Sequence, residues 1–468
     1  MSRPGAQPAF GKILIANRGE IALRIARTCR ELGIASVAVY STADATSAVA
    51  DLADEAVCVG PAAAGHSYAS IPAIIEAARL TGADAIHPGY GFLAENPDFS
   101  QVCADEGITF IGPSAAVLER FGDKAAARDL MRDVGLPLLP GGSGVCVDEA
   151  DAAHTAAAIG LPIIVKAVAG GGGKGMAVAW RMEDVALAVR ETRAAAQSLY
   201  ADNRVYVERF LRRARHVEVQ VLADRYGAAV HLGDRDCSVQ RRHQKLVEET
   251  PAPLLADDTR RSMAEAALAG VKAAGLVGAA TVEFLVDEQE NFYFMEVNAR
   301  LQVEHAVTEM VTGVDIVAQQ IRLAAGAPLE LEQSSIVARG AAIECRLNAE
   351  DPDRDFRPTP GTLTRVRLPG GTFTRVDSHI GTGTTITADY DSLLGKVVVW
   401  APNREAAVSR LQRALDEVVI EGPGVHHTGG LLRRVLDDAE FRSASHATDL
   451  MPRLLAGPSG APDQESDR

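Results

Sequence analysis

With 468 residues, 47% of them hydrophobic, the chain can bury a large core, which excludes a disordered polypeptide and predicts about three domains. A net charge of −15 argues against general nucleic-acid binding and leaves only two local basic patches, 212–216 and 241–245, the first read as solvated surface. The six cysteines (Cys29, Cys58, Cys103, Cys146, Cys237, Cys345) form no CxxC pair, so the expected setting is a reducing cytoplasm without zinc cluster or disulfides.

The opening MSRPGAQPAF has no basic segment followed by an apolar stretch, and no run is long enough for a bilayer, so no membrane association is expected. Residues 12–112 alternate apolar runs with amphipathic segments: KILIA, then Ile21, Ile25, Cys29 and Leu32 at helical spacing, then SVAVY, DAIHPG and TFIG. That alternation predicts a parallel sheet with covering helices. The first turn, ANRGE, holds one glycine and lacks the GxGxxG fingerprint, which argues against NAD.

A helical connection at 113–138, its helix running through Asp123–Val134, leads into a small α/β unit at 139–204. There PIIVKA and MAVAW flank AGGGGKGM, so the glycine run (Gly170, Gly172 and Gly175 formally fit GxGxxG) is a hairpin loop and not a strand-to-helix turn. Residues without Cβ let backbone N–H groups approach phosphate oxygens, and Lys166 and Lys174 favour that use over an ordinary flexible turn.

From Val205 onward VYVERF, HVEVQVLA and AAVHLGD read as strands, 258–274 as a helix, and TVEFLV with FYFMEV as a hairpin, giving an antiparallel region at 205–335. Short strands and a final helix follow at 336–456, and 457–468 reads as a disordered tail. Pairing the hairpin about 287–291 places Glu283 opposite Glu296, with Asn298 on the Glu296 face. Opposed carboxylates repel unless a cation lies between them, and hard oxygen donors beside a phosphate loop suit magnesium shared with a nucleotide. Phe292 and Phe294 are taken to share the Glu296 face and to mark it as covered, against the alternative of a solvated pair. Just beyond, Arg300 offers a fork for a planar carboxylate or bicarbonate and Glu304 a candidate base, although the two alone would equally make a surface ion pair.

IANRGEIA (15–22), HPGYGFLAEN (87–96), KAVAGGGGKGM (166–176), RHVEVQVL (215–222), RDCSVQRRHQK (235–245), EVNARLQVEH (296–305) and ECRLNAEDP (344–352) together resemble, in order, the biotin carboxylase family of ATP-grasp enzymes. The resemblance spans about residues 12–400. It implies an α/β fold, α+β in part: an N-terminal Rossmann-like parallel-sheet domain (1–112), the connection (113–138), an ATP-grasp lid (139–204), an ATP-grasp catalytic domain (205–335) and a C-terminal mixed β domain (336–456). It further implies that Lys124, Lys166, Glu208, His216, Gln240 and His243 bind ATP, with Gly172 and Gly173 over its phosphates, and that Glu283, Glu296 and Asn298 hold Mg2+ or Mn2+. Arg300, Gln302 and the Val303 backbone would place bicarbonate, Lys245 would assist the phosphate and carboxyl groups, Glu304 would take the bicarbonate proton, and Arg346 would stabilise enolised biotin. ATP would convert bicarbonate to carboxyphosphate, whose breakdown supplies carbon dioxide beside biotin.

Several positions depart from the family pattern: Ala169 in the glycine run, Arg209 for a Lys, Ala299 between Asn and Arg, Asp389 for a Tyr, and His426-His427-Thr428 for a KTN-like stretch. None removes a charged group expected to do chemistry. The rival readings are another ATP-grasp ligase that makes an acyl phosphate for an amine, and an inactive scaffold; joint retention of Lys245, Glu283, Glu296, Arg300, Glu304 and Arg346 speaks against the latter. The resemblance also implies a homodimer. No AMKM-like biotinylation segment occurs, so biotin is expected on a separate carrier protein, with a separate carboxyltransferase passing the carboxyl group to an acyl-CoA.

Overall fold

The structure, a computed structural model, describes residues 10–142, 144–169 and 175–456. Five strands, Lys12–Ile15 (β1), Ala35–Ser41 (β2), Glu55–Gly60 (β3), Ala85–His87 (β4) and Thr109–Phe110 (β5), form a wholly parallel sheet in the order β3-β2-β1-β4-β5. Side chains alternate across β1. Ile13 and Ile15 pack with the helix Gly19–Glu31, while Leu14 and Ala16 pack with Ile74 and Ile75 of the helix Ile71–Thr81 and Phe99 of the helix Pro97–Asp105. The order reverses between β1 and β4, so the turns after these two strands open at one crevice. Asn17 there donates to the carbonyls of Pro88 and Tyr90, at 2.7 Å each, and a Cβ on Gly89 would come within 2.9 Å of its amide.

Asp123 caps the next helix, Lys124–Asp133, through the amides of Ala125 and Ala126. The lid sheet follows: Ile163–Ala167 (β6) pairs antiparallel with Met176–Ala179 (β7), as the hairpin reading expected, and with Val205–Arg209 (β8). Thus β8, expected to open the catalytic region, belongs to the lid sheet by hydrogen bonding. Gly172, Gly173 and the tail at 457–468 lie outside the described residues.

The largest layer is an eight-stranded antiparallel sheet. Its edge strand is Phe292–Asn298, and then come Gly278–Val286, Arg215–Ala223, Ala229–Arg241, Gln244–Thr250, Ala341–Asn348, Leu393–Ala401 and Thr374–Ser378. One hydrogen-bonded ladder therefore joins the central region to the C-terminal one. Helix Asp257–Ala274 buries Met263, Ala267 and Val271 against Val219, Val221 and Phe284 of this sheet. The single final helix expected after 341 is instead four: Arg404–Glu417, Gly429–Asp437, Ala439–Arg442 and Leu450–Ala456. The last three are too short for their periodicity to stand out from loop sequence.

Glu283 is the cross-strand partner of Glu296, as expected, but the ladder then shifts so that Phe284 pairs with Phe294 and Met295 is an extra residue. The bulge reverses the alternation. Phe292 and Phe294 therefore lie with Phe284 in the core and not on the Glu296 face, which corrects the expected cover for that face. Among the described residues no helix is long and apolar enough to cross a membrane, and all six cysteines are free.

Candidate active site

The face carrying Glu283 is covered by polar side chains from neighbouring strands. Glu283 Oε1 accepts from Lys245 Nζ at 2.9 Å, Asn298 Nδ2 at 2.8 Å and Gln302 Nε2 at 3.1 Å, and its Oε2 lies 3.0 Å from His216 Nε2. Glu296 meets Lys124 at 3.1 Å. Each member of the opposed carboxylate pair thus touches a lysine, which shows the demand for positive charge at this spot. Glu283, Glu296 and the Asn298 carbonyl fit a hard cation that takes its remaining ligands from water and phosphate. Burial opposes ionisation of Glu283, yet Lys245 and His216 outweigh it and hold the carboxyl well below its usual range.

Lys245 is the hub. Its Nζ donates to Glu218 Oε2 at 2.6 Å, Glu283 Oε1 at 2.9 Å and Glu304 Oε1 at 2.7 Å. Burial alone would lower its pKa, but the three carboxylates raise it well above the ordinary lysine value. Glu304, fully buried, also accepts from an Arg346 guanidinium nitrogen at 2.9 Å, and Arg346 Nε donates to Glu248 at 2.6 Å. Against the burial penalty, Lys245, Arg346 and Arg235 hold Glu304 ionised well below the usual range.

Arg300 reaches Glu95 at 2.8 Å, the Leu301 carbonyl and Gln302 Oε1 at 3.1 Å each, and Asn298 Oδ1 at 2.9 Å. Its guanidinium joins the turn after β4 to the strand end carrying Asn298. The nucleotide candidates form the adjoining wall. Lys166 on β6 bonds Glu208 on β8, which also accepts from Arg128 at 2.6 Å, and Gln240 lies 2.7 Å from His216 Nδ1. Burial, and then the neighbouring Lys166, His216 and Lys124, lower the pKa of His243. His243 sits with Arg242 in a tight turn where both have positive φ, 67° and 47°.

Direct contacts and strand pairing thus link Lys124, His216, Gln240, Lys245, Glu283, Glu296, Asn298, Arg300, Gln302, Glu304 and Arg346, and Lys166 and Glu208 meet each other on the lid sheet. The structure adds Glu218, Arg235, Glu248, Glu95 and Arg128, which sequence reasoning did not single out. Arg235 is wholly buried and holds Glu218 at 2.6 Å, Gln220 and Thr308 at 2.9 Å and Thr281 at 3.1 Å, fixing the carboxylate that Lys245 uses. Glu95, Glu218 and Arg235 lie inside motifs quoted above. Their place in those motifs was the available signal; Arg128 on an ordinary amphipathic helix offered none.

Three family models match in succession: the biotin carboxylase N-terminal domain over residues 9–118, the carbamoyl-phosphate synthase L chain ATP-binding domain over 123–332, and the biotin carboxylase C-terminal domain over 344–453. The chain is 48% identical to biotin carboxylase from Nostoc sp. over 445 residues, covering 95% of this chain and 99% of that protein. It is also 48% identical to a pyruvate carboxylase subunit from Methanothermobacter thermautotrophicus over 448 residues, covering 96% and 91%. Among solved structures it resembles the biotin carboxylase domain dimer of Hydrogenobacter thermophilus 2-oxoglutarate carboxylase with MgADP, ADP and bicarbonate: TM-score 0.92, 43% identity, 96% of this chain and 99% of that one. Fold and site define an ATP-grasp ligase. The chain belongs to the biotin carboxylase family.

Proposed function

We propose that this protein carries out the ATP- and bicarbonate-dependent carboxylation of biotin, the first half-reaction of a biotin-dependent carboxylase. The observation that carries the reading is Glu304, buried and ionised between Lys245 and Arg346, beside the opposed pair Glu283 and Glu296. Both arms of the chemistry, a base for bicarbonate and cations for the anions that develop, are thereby in one enclosed place.

In this reading Lys124, Lys166, Glu208, His216, Gln240 and His243 hold ATP, and Gly172 and Gly173 lie over its phosphates. Glu283, Glu296 and Asn298 would hold magnesium, which would supply positive charge to the phosphate oxygens. Arg300, Gln302 and the Val303 backbone seat bicarbonate, and Glu304 removes its proton. A carboxylate held so low is a weak base. Bicarbonate and phosphate oxygens competing for Lys245 and Arg346 loosen that hold, and the proton affinity of Glu304 rises as substrates bind. Arg346 then faces the enolate oxygen of biotin, and the released phosphate accepts the ureido proton.

We read the chain as the units 1–112, 113–138, 139–204, 205–335 and 336–456, with Val205–Arg209 at the start of the fourth paired into the lid sheet, in a cytoplasmic enzyme. A homodimer is supported by the Hydrogenobacter domain, described as a dimer. The Methanothermobacter relative is by name one subunit of its enzyme, which supports biotin on a separate carrier chain and a separate carboxyltransferase. We take the final acceptor to be an acyl-CoA; a keto acid is the alternative that co-purifying subunits would reveal. The decisive assay mixes protein, MgATP, bicarbonate and free biotin: carboxybiotin and ADP are expected, and ADP release indifferent to biotin and bicarbonate would overturn the reading.

A further inference from the structure

Four successive carbonyls in the segment leading to Glu304 have donors. Leu301 O accepts from Arg300 at 3.1 Å, Gln302 O from His305 Nδ1 at 2.8 Å, Val303 O from Lys396 Nζ at 2.6 Å, and Glu304 O from the Val307 amide at 3.3 Å. The donors to Leu301, Gln302 and Glu304 come from the same stretch of chain. The third does not. Lys396 lies 93 residues away, on Leu393–Ala401, and no motif read from the sequence includes it.

Its side chain is wholly buried, and its strand position is the direct partner of Arg346. It shares the site face of the sheet with Arg346. Glu20 at 3.4 Å and Asp377 at 3.8 Å flank the ammonium, and Glu20 also accepts from the Tyr90 hydroxyl. A buried charge with two acidic neighbours and one backbone acceptor is expensive to place where an apolar residue would pack as well.

We infer that Lys396 is a positioning residue for the bicarbonate-seating turn, fixing the Val303–Glu304 peptide plane through the Val303 carbonyl. The peptide is planar and trans, so anchoring that oxygen sets the opposite direction for the Glu304 amide and the start of its side chain. His305 does the same for the Val303 amide by holding Gln302 O. Burial opposes the charge of Lys396, but the flanking Glu20 and Asp377 help to outweigh it and raise its pKa, so the donor keeps its full charge. The turn is thereby tied to the C-terminal strand that also supplies the cross-strand partner of Arg346, and the bicarbonate and biotin ends of the site share one support.

This inference rests on the proposed function. The test compares native protein with Lys396→Met and with Lys396→Met combined with Glu20→Gln, which removes a buried opposite charge together with the lysine. ATP hydrolysis is measured as a function of bicarbonate and, separately, of ATP. In both variants the bicarbonate KM should rise about 10- to 100-fold, as for loss of a charged donor, while the ATP KM stays within about twofold. An unchanged bicarbonate KM, or equal rises in both constants, in folded double variant would overturn it. Should the single variant fail to fold, the double variant carries the comparison. Native protein without bicarbonate-dependent hydrolysis would instead sink the functional reading before any variant is compared.

Discussion

Glu248 and Glu344 are direct partners on adjacent antiparallel strands, and neither side chain reaches solvent. Burial pushes Glu344 well above the usual carboxylate value, and Glu248 up to about 7, against the opposing pull of nearby Arg346, Lys245 and Lys396. Native protein therefore binds more protons here than unfolded chain does. The contribution to stability is complete below the ordinary value of 4.5 and is lost as pH rises through about 7. Glu344→Gln removes the titration while keeping the shape. Its melting temperature relative to native protein should climb as pH rises above the ordinary carboxylate value of 4.5, by roughly 1 °C per kcal/mol of relieved burial for a chain of this length. A difference that stays constant as pH rises would mean that burial does not hold Glu344 protonated in the native protein.

Glu304→Gln keeps the size of the side chain and removes the base. Bicarbonate-dependent turnover should fall by about 100-fold or more, while nucleotide affinity, measured by titration of ADP, stays within about threefold. A parallel collapse of nucleotide binding would assign Glu304 to the ATP wall.

Arg346→Ala separates the two chemical stages. Biotin carboxylation should drop at least about tenfold more than the basal, bicarbonate-dependent hydrolysis of ATP, because the enolate arises only in the later stage. Equal losses would place Arg346 in the bicarbonate step, which its contact with Glu304 makes a meaningful alternative.

Glu208 is the buried acid between Arg128 and Lys166. Glu208→Gln leaves two cations without their counter-charge, and removal of one partner from a buried ion pair costs about 3 to 5 kcal/mol. Chemical denaturation should show that loss, together with a raised ATP KM. A variant as stable as native protein would mean that water already screens the triad.

For the metal, Glu296→Gln should shift the magnesium dependence of ATP hydrolysis to about tenfold higher concentration without changing the bicarbonate KM. An unchanged magnesium curve would move the cation elsewhere, toward His216, Glu218 and Glu283, which also lie close enough together to hold one.

Much of this site was legible because it is local. The hairpin around 287–291 and the spacing of Glu283, Glu296 and Asn298 follow from alternation alone, and the register bears them out. The parallel pairing of the first sheet, though not its strand order, followed from apolar runs separated by helical spacing. Met295 was not legible, because a bulge leaves no mark on composition, and it reversed the side taken by Phe292 and Phe294. Lys396 was equally hidden. A lone cation in an apolar strand shows its purpose only when a partner from a distant segment arrives, as Val303 does for Lys396.

The extra residue at 295 has a consequence for how this hairpin can change in descent. Insertions or deletions in the turn at 287–291 lie beyond the last strand pair, Val286 with Phe292, and leave the pairing behind it in place. Deleting Met295 is another matter. The strand would lose its one reversal of parity, and either Glu296 would be driven among Phe284 and its apolar neighbours or Phe294 would enter the cleft. At this place the pairing depends on the number of residues more than on their identity, and loss of one residue should disturb the site more than most exchanges of a side chain.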